Sequence, residues 1–163
     1  MRKTFPWEPV LLLAILVAGA ALRFVALGEV PPGLYHDEAV NGLDALDVLS
    51  GDRPLYFEAN NGREPLFIYL VALSVEFFGR EPLAVRWPAA LLGTLTIPAA
   101  YAMARAWFPG RRAVPLATAA LVAFTFWTLQ LSRIGFRVVS LPLVAALLLA
   151  ALVWVIVVGV FVL

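Results

Sequence analysis

Long apolar runs, interrupted by short polar ones, dominate the pattern along the chain. Four runs carry few charged side chains or none, and each is long enough to cross a hydrocarbon core of about 30 Å: residues 10–27, 83–106, 113–132 and 138–163. The pattern predicts an all-α, polytopic membrane protein with about four transmembrane helices. In the first run, Arg23 is expected to extend its long side chain from the helix end to the membrane surface.

The first run has a second interpretation. Its short apolar core and the "AGA" at 18–20 are also typical of a cleaved secretory signal. A retained helix is favoured, because the later runs are themselves membrane-embedded. Arg2 and Lys3 precede it, and the positive-inside tendency then predicts a cytoplasmic N-terminus.

A fifth apolar segment, Pro65–Phe78, is short for a crossing, because a helix of this length extends only about 21 Å. We expect it to lie in the membrane interface, within an external loop over residues 28–82. The acids of that loop and the arginines of 131–137 then share one side of the membrane. If the segment crosses instead, they face opposite compartments; a site that needs both groups favours the interfacial arrangement.

The loop itself contains a predicted amphipathic, interfacial helix. Asp37, Asn41 and Asp44 share one side of a helical wheel, and Leu43 lies on the other. Gly51 is suited to end this helix, because glycine readily adopts the left-handed conformation of a C-terminal cap.

Composition restricts the function. The chain is 63% hydrophobic and only 14% charged, against roughly 25% charged in soluble domains, and its mean hydropathy is +0.91. A net charge of +1 without a basic cluster argues against a nucleic-acid partner. The absence of cysteine excludes disulfides and thiolate metal sites, and a single histidine excludes a multi-histidine site. Only Glu8 precedes Glu29 among the acids and none follows Glu81, which concentrates them in the external loop.

The order of several motifs carries a family resemblance: "YHDEA", "GREPLFIYL", "RWPAALLGTLTIPAAYAMAR", "FPGRRA" and "LSRIGFR". This order resembles the N-terminal part of C-type integral-membrane glycosyltransferases, in particular family 39, which includes protein O-mannosyltransferases and lipid A aminoarabinose transferases. Such enzymes are longer, so the chain is expected to be truncated. The resemblance implies sugar transfer from a polyprenyl-phosphate donor to a lipid, glycan or protein hydroxyl, on the extracytoplasmic face of the plasma membrane.

The resemblance also implies roles for the two adjacent acids. Asp37 matches the carboxylate that accepts the acceptor's proton as general base, and Glu38 lies beside it as a second candidate catalytic residue. A competing interpretation of Asp37 is a simple helix N-cap, for which Asp is among the best residues.

The candidate substrate-binding residues are mostly basic. Arg86, Arg133 and Arg137 would stabilise the donor phosphate through their guanidinium groups, and Arg63 and His36 are expected to contact substrate. The spacing of Arg133 and Arg137 places both on one helix face, although each could instead be a membrane-interface anchor. No metal ligand or cofactor is assigned, and a divalent cation remains possible. The alternative function is a non-catalytic membrane subunit or a transporter fragment, against which the shortage of ionisable residues in the spans argues.

Overall fold

The predicted all-α, polytopic membrane architecture is confirmed. A computed structural model describes residues 7–162, with side chains as far as 157. Arg2, Lys3 and Leu163, on which parts of the predicted topology rest, lie outside these residues. Seven α-helices make up the described chain: α1 Trp7–Phe24, α2 His36–Ser50, α3 Pro65–Phe78, α4 Pro82–Trp107, α5 Ala113–Phe124, α6 Phe126–Arg133 and α7 Ser140–Val162.

Helix α4 forms the centre of the bundle. It packs against α1, α3, α5, α6 and α7, and small residues such as Ala89, Ala90 and Gly93 on its buried faces let the neighbouring backbones approach closely. Three helical segments are long and apolar enough to cross a membrane, namely α1, α4 and residues 137–157, and α5 with α6 provides a fourth if the bent pair is one span.

The third predicted span is not continuous. Thr125 is extended, and α5 and α6 meet there at 51°. Carbonyl groups released by such a break must find other donors. The Arg23 guanidinium donates to the carbonyls of Val122 at 2.9 Å and Ala123 at 3.1 Å. Arg23 is therefore fully buried, and the expectation that it extends to the membrane surface is wrong.

The two helices of the loop region cover one end of the bundle. Gly51 ends α2 with a φ of 119°, as predicted, and its N–H caps the last turn. Helix α3 buries one face against α2 and α4 and leaves Leu73 and Phe77 exposed on the other. It is shorter than the candidate spans, and its interfacial position remains a prediction.

Helix α4 also defines two ends of the bundle. At one end Arg86 donates to the carbonyl of Leu27, and at the other Glu8 accepts a hydrogen bond from Tyr101 at 2.7 Å and pairs with Arg112 at 3.4 Å. Between Arg86 and the last turn of α4 the helix rises by about 28 Å, close to the thickness of a hydrocarbon core.

Candidate active site

Glu38 lies in the first turn of α2 and forms a buried ion pair with Arg86 of α4. Its Oε1 accepts from Nε at 2.8 Å and its Oε2 from Nη2 at 3.3 Å, and both side chains are fully buried. Oε2 also accepts the backbone N–H of Tyr35 at 2.8 Å, an interaction that caps the helix. Glu38 therefore fixes both the start of α2 and its position on α4.

Arg86 uses all its donors within the protein. Nη1 donates to the carbonyls of Leu27 at 3.1 Å and Pro31 at 2.8 Å, and Nη2 donates to the carbonyl of Gly33. Together with Glu38, these acceptors occupy the five N–H groups of the guanidinium. In this arrangement Arg86 ties the connection between α1 and α2 to α4, and no exposed donor is left for a substrate phosphate.

Asp37 precedes Glu38 but contacts a different part of the chain. Its Oδ1 accepts a hydrogen bond from Asn60 Nδ2 at 2.7 Å. The N-cap of α2 is Tyr35, and Asp37 is already inside the helix, so the interpretation of Asp37 as the N-cap is wrong. The two adjacent carboxylates point in different directions, because successive residues of an α-helix are about 100° apart around its axis.

A closed loop lies over the polar face of α2. Phe57 and Arg63 pair as an isolated antiparallel bridge, with N···O distances of 3.1 Å and 2.8 Å. The Arg63 side chain, only 2% exposed, donates to Asn41 Oδ1 at 2.8 Å and pairs with Asp44. The face that the sequence marks with Asp37, Asn41 and Asp44 is therefore the face on which this loop docks.

A cavity of about 410 Å³ opens between α2, this loop and the chain that leads into α7. Its size falls in the range of ~300–1,000 Å³ that is usual for small-molecule sites. Polar side chains of α2 and the loop form one wall, and the opposite wall is largely apolar. The lining residues are Asp37, Asn41, Asn60, Asn61, Arg63, Leu131, Phe136, Arg137 and Val138.

Arg137 is the exposed cation of this cavity. It pairs with Glu64, and the two side chains remain 36% and 56% exposed. Only one of its nitrogens has a hydrogen-bond acceptor among the described residues. A guanidinium with unused donors at the rim of a cavity is suited to bind an anionic group.

Arg133 has a different environment. Its Nη1 donates to the carbonyls of Leu22 at 2.7 Å and Val25 at 3.0 Å, and its Nη2 to that of Val30 at 2.9 Å. It thereby provides donors for carbonyl groups at the C-terminal end of α1 and in the connection that follows it. The prediction that Arg133 and Arg137 share a helix face is wrong, because α6 ends at Arg133 and Arg137 begins a separate 3-10 turn.

The residues that line the cavity differ from the predicted ones in two further ways. His36 is exposed at the first position of α2 and does not line the cavity. Asn60 and Asn61 do line it, although neither is among the candidate residues predicted from the sequence. Two asparagines before a glycine are a known signal for a left-handed turn, and that signal could have drawn attention to them.

Within the described part of the chain, no group of three or more His, Cys, Asp or Glu residues could hold a metal ion.

Comparison with known proteins tests the resemblance. Residues 58–159 match the family model described as dolichyl-phosphate-mannose-protein mannosyltransferase. The chain belongs to this family. The mannosyltransferase match covers α3 to α6 and most of α7, with Arg63, Arg86, Arg133 and Arg137, and it begins after Asp37 and Glu38. No curated protein and no solved structure gives a significant match to the chain. Membership of this mannosyltransferase family identifies the protein as a membrane glycosyltransferase in general terms.

Proposed function

We propose that the protein transfers a sugar, mannose by its family, from a polyprenyl-phosphate donor to a hydroxyl group of a lipid, glycan or protein acceptor. The reaction is placed on the extracytoplasmic face of the plasma membrane, with the N-terminus in the cytoplasm. The observation that carries the proposal is the placement of Asp37 and Arg137 in one cavity, while the neighbouring Glu38 is held in a buried ion pair.

Asp37 is assigned the role of general base. Glycosyl transfer to a hydroxyl requires loss of the acceptor's proton, and a carboxylate within hydrogen-bond reach can accept it. Glu38 cannot reach the cavity without breaking its contacts with Arg86 and the Tyr35 N–H. We therefore assign catalysis to Asp37 and a positioning role to Glu38, which sets the orientation of the first turn of α2.

Arg137 is assigned to the donor phosphate. The leaving group gains negative charge as the glycosidic bond breaks, and a guanidinium can stabilise that charge bidentately. Two of the arginines predicted to bind substrate line the cavity. Arg63 is only 2% exposed, whereas the Arg137 side chain is 36% exposed and can reach an anionic group there. Arg63, Arg86 and Arg133 support the site instead, since each is engaged with backbone or side-chain acceptors. No substrate contact is assigned to His36.

The test is the Asp37→Asn variant of the full chain, assayed in membranes with dolichyl-phosphate-[3H]mannose as donor and native membranes as the acceptor pool. Asparagine keeps the size of the side chain but cannot accept the proton, so transfer should fall by about a hundredfold or more, within the usual contribution of a general base. Glu38→Gln should act mainly on folding, because it leaves the Arg86 charge buried and unpaired. Thermal unfolding separates the two effects.

Two results would contradict this proposal. Wild-type protein that transfers no more label than membranes without it would remove the proposed activity. Normal transfer by a stable Asp37→Asn variant would remove the assignment of the base and return attention to Glu38.

A further inference from the structure

The loop that covers α2 has an unusual backbone. Asn60, Asn61 and Gly62 have φ angles of 53°, 68° and 77°, so three consecutive residues adopt the left-handed conformation. Glycine does this freely, and asparagine is one of the few other residues that tolerate it. Strained conformations of this kind persist only where the surrounding structure fixes them, and they cluster at functional sites.

Several contacts fix this loop. The Phe57–Arg63 bridge closes its base, and the Arg63 side chain donates to the carbonyl of Ala59 at 3.2 Å as well as to Asn41 on α2. The loop is thus attached to the helix that carries Asp37. At its turn, the Asn60 amide reaches the carboxylate of Asp37 at 2.7 Å.

This hydrogen bond gives the two carboxylate oxygens of Asp37 different environments. Oδ1 accepts from Asn60, and no other hydrogen bond to the Asp37 carboxylate occurs among residues 7–157. An ionised carboxylate has lone pairs on both oxygens, so Oδ2 can still accept a proton. A held carboxylate is a more effective base than a rotating one, because catalysis depends on the orientation of the reacting groups.

We propose that Asn60 is a positioning residue for the general base: its amide holds Oδ1 so that Oδ2 faces the cavity. This inference rests on the proposed function. In the transfer step, Oδ2 takes the proton of the acceptor hydroxyl as that oxygen forms a bond to the anomeric carbon. The bond from the anomeric carbon to the phosphate oxygen breaks, and its electron pair leaves with the polyprenyl phosphate.

The test compares two substitutions at position 60 that both suit a left-handed backbone. Asn60→Asp keeps the size but replaces the donor with a second carboxylate beside Asp37, and Asn60→Gly removes the side chain without repulsion. With dolichyl-phosphate-[3H]mannose and native membranes, kcat should fall about a hundredfold in the first variant and about tenfold in the second. The KM for the donor should change less than threefold, because the amide holds the base and not the substrate.

Asn61→Asp is the matched comparison, because it adds the same charge to the same turn without removing the hydrogen bond to Asp37. Its kcat should fall less than that of Asn60→Asp, and an equal fall would overturn the positioning role. A higher donor KM with unchanged kcat in both Asn60 variants would overturn it as well, since Asn60 would then contact substrate. Wild-type kcat in Asn60→Gly, with Asp37→Asn inactive, would reject this inference and leave the proposed function standing. Normal transfer by a stable Asp37→Asn variant would reject this inference together with the assignment of Asp37 as the base.

Discussion

Two adjacent carboxylates illustrate how strongly a single residue's environment decides its role. Glu38 is fully buried against Arg86, and Asp37, one position earlier, contacts the loop and lines the cavity. Removing one partner of a buried ion pair typically costs about 3–5 kcal/mol. Moving Glu38 would therefore carry a large energetic penalty, while the Asp37 carboxylate can meet a substrate through Oδ2 without losing its hydrogen bond from Asn60.

The arginines predicted to bind substrate also differ in their environments, and Arg137 is the one assigned to the donor phosphate. Arg137→Ala should lower kcat/KM for dolichyl-phosphate-[3H]mannose by roughly 10- to 100-fold, because loss of a hydrogen bond to a charged group costs about 1.5–3 kcal/mol. Arg137→Lys should restore only part of it, since lysine lacks the planar fork. Arg111→Ala, an exposed arginine in the connection between α4 and α5, is the control. Wild-type kinetics in Arg137→Ala would favour the membrane-anchor interpretation.

At the scale of the elements, the break between α5 and α6 is held by side chains of the neighbouring helices. Arg23 of α1 donates to the carbonyls at the break, and its Nε donates to Ser132 Oγ on α6 at 3.2 Å. Gly93 of α4 makes room for this contact, because a Cβ there would lie 2.7 Å from Ser132 Cβ. Four helices, α1, α4, α5 and α6, therefore meet at one buried guanidinium.

This arrangement makes Arg23 more important for stability than its place in an apolar run suggests. Arg23→Met keeps an unbranched apolar stem but is shorter and has no donor. It leaves the Ala123 carbonyl without its side-chain donor, at a cost of about 1–3 kcal/mol, whereas the Val122 carbonyl keeps a hydrogen bond from Thr128 Oγ1 at 2.7 Å. We expect its melting temperature in detergent to fall by several degrees. Arg105→Met, at a side chain that is 44% exposed, should change it far less. Equal melting temperatures for the two variants would show that the break needs no donor.

The sequence predicted the elements better than the side-chain partners. Hydropathy and length located the apolar helices and distinguished α3 from them, and Gly51 marked the end of α2. The break at Thr125 was not predicted, because no proline or glycine lies beside it in the sequence. Arg23, Arg86 and Arg133 all look like arginines at the ends of apolar runs, and most of their acceptors are backbone carbonyls, which no sequence pattern marks. The polar face of α2 was predictable from its spacing, but the loop that covers it was not.

On the scale of the whole molecule, all the groups assigned to catalysis lie at one end of the bundle. Asn41 Nδ2 donates to the carbonyl of Gly135 at 3.2 Å, and Arg137 pairs with Glu64, so the acidic loop and residues 131–137 meet, as the shared-site argument expects. Glu8 and Arg112 form their contact at the other end. Under the proposed function, the lipid-linked donor and its acceptor would therefore approach from the same membrane surface.

Cysteine accessibility tests which surface that is, and the absence of native cysteines removes any background. Single cysteines at Asp52, which is exposed, and at Val138, which is 43% exposed and lines the cavity, report on the site. Arg111, exposed beyond α4, reports on the opposite end. An impermeant thiol reagent should label positions 52 and 138 in intact cells and position 111 only after permeabilisation, because the proposed site is extracytoplasmic and a span of about 30 Å separates the two ends. The reverse pattern would place the site in the cytoplasm. Labelling at 52 without 138 in intact cells would mean that α3 crosses the bilayer, and the two halves of the proposed site could not then act on one substrate.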